Sequence, residues 1–151
     1  MSLSAATIAD SISKLSVSGV TIKDVDQIPN EVTQYDVPVM FPEPLNFITD
    51  FEVIRDSFGA DSLAKKTAAY TLNYTFCHSL VGSGRLLSDV YDDMVAKAEL
   101  ILDAIIANST ITGAVDIEPL NISNFGVVLD PAGHSFHGCQ IQVRVMEFIN
   151  G

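Results

Sequence analysis

The chain has 151 residues, the size of one domain, and 48% of them are apolar, enough for a sizeable core. Eight Lys and Arg against 19 Asp and Glu give a formal net charge of −11, which opposes nonspecific binding to nucleic acid or to an anionic membrane. No run of about 18 apolar residues suggests a membrane span, and Met1 to Asp10 lacks a basic region before an apolar stretch, so no secretory signal is expected.

Ser4 to Leu15 reads as a short first helix. Ile8, Ile12 and Leu15 recur at helical spacing, Ser4 is placed to cap the first turn, Leu3 to pack back on Ile8, and Ser18-Gly19 to stop the helix. Val20 and Ile22 suit a brief extended segment. From Asp24 to Asp61 the chain is acidic, with nine carboxylates against the single Arg55. Within it, Ile28 to Pro44 reads as irregular or extended, because Pro29, Pro38, Pro42 and Pro44 remove backbone donors and bias the preceding residues away from helix. The apolar residues of this stretch mark it as pressed against a surface, its own or a neighbour's. Phe47 to Phe58 fits either a strand or a short helix, and Gly59 to Ser62 a turn or loop.

Lys66 to Leu80 is the clearest strand, with Tyr70, Leu72, Tyr74 and Phe76 on one face and Thr71, Asn73, Thr75 and Cys77 on the other. Leu86 to Asn108 is the clearest helix, its apolar stripe running through Leu87, Val90, Met94, Ala98, Ile101, Leu102 and Ile105. Asp89, Asp92 and Asp93 sit in its early turns, where carboxylates suit the helix dipole. Ile122 to Leu129 and Phe136 to Ile149 read as an antiparallel hairpin about the turn-rich Asp130-Pro131-Ala132-Gly133-His134. The expected fold is α+β over residues 1–151: an antiparallel or mixed sheet with one long helix on it, a short N-terminal helix, an extended Pro-rich arm or loop region around 28–62, and a C-terminal hairpin.

Candidate chemistry is sparse. His134, His137 and Cys139, with Asp130, invite a zinc reading, but the paired-cysteine spacing of structural zinc is absent and a polar hairpin is the simpler account. Cys77 and His78 are adjacent on a strand, so their side chains should point to opposite faces rather than form a nucleophilic dyad. Cys77 and Cys139 are expected as free, partly buried thiols. Asp92-Asp93 reads as a solvated helix face. Gly82-Ser83-Gly84-Arg85 only superficially suggests a phosphate loop. No cofactor, metal or catalytic set is expected. No acid lies between Asp61 and Asp89, so Lys65, Lys66 and Arg85 form a basic middle suited to an acidic neighbour. Val39, Met40 and Phe41 belong to a run with two readings: core cover within one subunit, or an arm over the next.

A short N-terminal helix through Ile8-Ala9-Asp10-Ser11-Ile12 is followed by Val20 to Pro29 and Val37-Pro38-Val39-Met40-Phe41-Pro42. A strand with Tyr70-Thr71-Leu72-Asn73-Tyr74 then feeds the long helix, and a hairpin closes the chain. This layout, over residues 4 to 149, resembles the tail terminator or tail completion proteins of long-tailed bacteriophages. The resemblance implies a non-enzymatic virion protein, assembled in the host cytoplasm, that forms a ring, usually hexameric. It would sit at the head-proximal end of the tail tube, end tube polymerisation, and join the tube below to a neck or adaptor protein above. DNA would pass through the lumen without specific binding. A head–tail adaptor or stopper and a tube-like protein share these features; an accessory binding module or a small enzyme are the readings from other classes. The interface residues expected on this view are Val39, Met40, Phe41, Lys65, Lys66 and Arg85.

Overall fold

The computed structural model describes residues 4–55, 65–82, 84, 86–108 and 115–150, and for residues 54, 55, 65, 66, 115, 119, 120 and 148–150 the backbone alone. It is a mixed α+β fold. In chain order the elements are α1 (Ala5–Ser13), β1 (Thr21–Ile22), a single 3-10 turn (Val25–Gln27), β2 (Val39–Pro42), β3 (Ile48–Arg55), β4 (Lys65–Leu80), α2 (Leu87–Ala107), β5 (Val115–Leu129) and β6 (Ser135–Asn150). The six strands form one sheet in the order β1-β2-β4-β6-β5, with β3 beside the first half of β4. All neighbours are antiparallel except β1 and β2.

β4 is long enough to serve two partners on one side. Lys66 to Leu72 pair with β3, and Tyr74 to Cys77 pair with β2. Asn73 lies at the changeover. Its amide donates to Phe47 O (2.8 Å) and its carbonyl accepts from Glu43 N–H (2.9 Å). Its side-chain Nδ2 donates to Asn46 O (2.9 Å) and Thr49 Oγ1 (2.8 Å). One asparagine thus satisfies the connection between β2 and β3, whose backbone would otherwise lack partners. The segment Phe47 to Phe58, open between helix and strand from sequence, is a strand as far as Arg55; Phe58 and the Gly59–Ser62 turn lie outside the described residues, as does Leu3.

Strand alternation sorts β4 as expected: Tyr70, Leu72, Tyr74 and Phe76 are at most 1% exposed and face the helices. They join Cys139, Ile141, Val143 and Val145 of β6 beneath Ile8 and Ile12 of α1 and Met94, Ala98, Ile101 and Ile105 of α2. α1 is held differently from expectation. Ser4 makes no side-chain cap. Its backbone N–H instead donates to both carboxylate oxygens of Glu147 on β6, at 3.0 and 3.2 Å.

A smaller core lies on the opposite face. Val39, Phe41, Cys77, Val128 and Phe136 pack there under Val32, with Ile28 and Val37 alongside. The Pro-rich stretch therefore lies on its own sheet and β2 is buried on both faces, with Val39, Met40 and Phe41 at most 1% exposed. Of the two readings of this run, the packing is that of core cover within one subunit: the apolar side chains are consumed by the chain's own core.

Candidate interaction surfaces and polar clusters

Beyond that second core, the helix-free face of the sheet is polar. Thr71, Asn73 and Thr75 of β4 stand beside Gln140, Gln142 and Arg144 of β6. Gln142 Nε2 donates to Asn73 Oδ1 (3.0 Å), Thr75 Oγ1 to Glu43 Oε2 (2.8 Å), and Asn124 Nδ2 to Gln140 Oε1 (2.6 Å). The Arg144 guanidinium donates to Thr71 Oγ1 (3.2 Å), Asp50 O (3.1 Å) and Glu52 Oε1 (3.2 Å). Asp116 and Glu118 are exposed on β5 beside Met146 and Arg144, which places them on this face as well. Among the described residues the face thus carries the carboxylates of Glu43, Glu52, Asp116 and Glu118, with Glu52 bonded to Arg144. The described polar side chains of β4 and β6 on this face are largely bonded to one another or to neighbouring groups.

At one end of this face a groove of about 780 Å³ runs between the 43–45 segment and the end of β5, over Phe41, Thr75 and Gln140. Its rim exposes apolar side chains: Leu45 is 86% exposed, Val127 59%, Leu129 57% and Phe125 38%. Contiguous apolar exposure of this kind marks contact surface. Of the residues expected from sequence at an interface, Phe41 lines the groove but is only 1% exposed, and Val39 and Met40 are buried. Lys66 is the register partner of Arg55, with Lys65 next to it, at the far end of the sheet, and Arg85 lies outside the described residues.

The histidines do not converge. His134 and Asp130 close the β5–β6 turn: Asp130 accepts His134 N–H (2.7 Å), the His134 ring nitrogen Nδ1 lies 3.1 Å from its other oxygen, and that oxygen also takes Val32 N–H (2.8 Å). Burial works against the Asp130 charge, but these hydrogen bonds outweigh it and hold the carboxyl below its ordinary range. The carboxylate thereby ties the Pro-rich segment to the turn. His137 is buried in β6, level with Ser79 and Val127. Among the described residues no three His, Cys, Asp or Glu side chains are grouped to hold a metal.

His78 is different. β4 bulges between Cys77 and Ser79, with His78 as the extra residue. His78 shares the helix-facing side of β4 with Phe76, and its Nε2 lies 2.6 Å from Asp93 Oδ2 on α2. Lys97, one turn further along α2, donates to both Asp93 oxygens at 2.9 and 2.8 Å. The Lys97 and His78 bonds hold the Asp93 carboxyl below its ordinary range. The Asp92-Asp93 pair read as a solvated helix face is exposed at both residues, and Asp93 in addition bonds α2 to the sheet through His78. At the helix start, Asp89 accepts Leu86 N–H (2.8 Å), so a side-chain carboxylate occupies the place where an anion would meet that amide.

Cys77 and Cys139 are free and buried. They face the two different cores, and burial pushes both thiols up to about 12, so neither is a thiolate nucleophile near neutral pH. Comparison with known proteins gives no family model that matches the chain and no curated protein that matches it.

Proposed function

We propose that this chain is a structural protein of a long-tailed bacteriophage virion. On this reading it forms a closed ring, hexameric, at the head-proximal end of the tail tube, ends tube polymerisation, and joins the tail to the neck. The observation that carries the reading is the helix-free sheet face. It is polar, internally hydrogen-bonded and rich in carboxylates. A lumen walled by such a face repels phosphates at short range, so DNA slides without sticking.

Charge and edges are in keeping with this role. Six copies at −11 each carry −66, a repulsion that apolar subunit contacts must offset. Leu45, Val127 and Leu129 supply exposed apolar surface at one side of the sheet, and Ile48, Phe51 and Val53 at β3 on the other. Two different surfaces meeting head to tail close into a ring when the rotation closes. The basic Lys65, Lys66 and Arg85 stretch remains a candidate contact for an acidic neighbour.

Negative-stain electron microscopy of the purified chain tests the proposal. Single rings with an open lumen are the expected result. Long tubes would replace it with the tube-forming reading, and particles without a lumen at every concentration would remove it.

A further inference from the structure

The β4 bulge brings a hydroxyl, an imidazole and a carboxylate into series. Ser79 Oγ lies 3.2 Å from His78 Nδ1, and His78 Nε2 lies 2.6 Å from Asp93 Oδ2. An ionised carboxylate accepts only, so Asp93 fixes Nε2 as the protonated nitrogen and leaves Nδ1 as the acceptor for the Ser79 hydroxyl. The ring is 6% exposed and its edge rests on Phe76. The series opens on a cavity of about 600 Å³, walled by Ser79, Asp93, Lys97, Gln34, Val37 and Pro38 among others. Nucleophile to base, base to orienting group, and an adjoining cavity are the arrangement that activates a serine.

We propose that Ser79 is a nucleophile toward small activated acyl and phosphonyl esters, with His78 as its general base and Asp93 as a positioning residue. This goes beyond the ring reading and does not depend on it. In the step, Ser79 Oγ bonds to the acyl carbon while its proton passes to His78 Nδ1. The His78 proton then leaves with the departing alkoxide as an alcohol, and water hydrolyses the acyl-serine through the same base. Lys97, which lines the cavity with its ammonium held on both Asp93 oxygens, supplies positive charge beside the developing oxyanion. Val37 and Pro38 give the wall against which a short acyl chain packs. Besides Asp93 and Lys97 from α2, the elements around His78 present it with uncharged groups: Ser79 and Phe76 from β4, and Gln34, Val37 and Pro38 from the N-terminal segment.

A fluorophosphonate probe tests this on the full chain. Attack forms the Oγ–P bond and breaks P–F, releasing fluoride. The expected result is one adduct, mapped to Ser79 by peptide mass spectrometry. The labelling rate should fall about 100-fold or more in His78→Gln. Asp93→Asn, at a residue whose side chain is 58% exposed, guards against mistaking unfolding for lost chemistry. It should keep the native circular dichroism spectrum yet slow labelling and alter its pH profile. No adduct at Ser79 in the folded chain, or labelling equal in the parent and Ser79→Ala, overturns the proposal.

Discussion

The backbone N–H of Ser4 donates to both oxygens of the Glu147 carboxylate, joining the start of the chain to its last strand. The Tyr70 hydroxyl donates to the same carboxylate at 2.5 Å, so this buried β6 side chain is met from the start of α1 and from β4. Glu147 is 3% exposed. Glu147→Ala leaves a buried phenol and a helix-start amide without their acceptor, and should cost about 1–3 kcal/mol. Chemical denaturation should show the loss, and hydrogen exchange should show it concentrated in α1.

Asp130 ties Val32 to the β5–β6 turn. Its folded-state pKa lies below the ordinary 3.8. A depressed carboxyl contributes stability that is fully present above the unfolded value and is lost as pH falls through the folded one. Parent stability should therefore decline below about pH 4. Asp130→Asn should be less stable at neutral pH and should have a shallower acid limb. Urea midpoints between pH 2 and 7 measure both, and parallel acid limbs would contradict the assignment.

Core and rim substitutions should separate. Phe41→Ala removes a ring that is 1% exposed and should cost about 3–5 kcal/mol in the isolated subunit. Leu129→Glu alters a side chain that is 57% exposed, so subunit stability should shift by about 0.5 kcal/mol or less. Assembly should respond in the opposite order, with Leu129→Glu abolishing it.

The two thiols should be silent in the native state. With both raised to about 12 and buried, iodoacetamide at pH 8 should modify Cys77 and Cys139 only after unfolding. Rapid native modification of either, read by intact mass, would contradict the packing described.

β4 and α2 were legible in the sequence because each obeys one period over many residues: two in Tyr70 to Phe76, and near 3.6 in Val90 to Ile105. β2 was not. Pro38, Pro42 and Pro44 read as an extended arm, yet Pro42 ends the strand opposite Tyr74, where losing a donor does not interrupt the pairing of Val39 to Phe41. β3 stayed ambiguous because a bulge between Thr49 and Glu52, with Asp50 at φ 53, breaks its alternation. The adjacency rule that set Cys77 apart from His78 fails one residue later, where the bulge brings Ser79 to the imidazole. The Glu147 anchor, 143 residues from Ser4, has no local signal at all.

Ring formation is the central claim, and native mass spectrometry across a concentration and salt series tests it most directly. A discrete six-subunit species that persists with dilution and is lost in Leu129→Glu is the predicted result. A monomer at every concentration and salt, with Leu129→Glu indistinguishable from the parent, would contradict it.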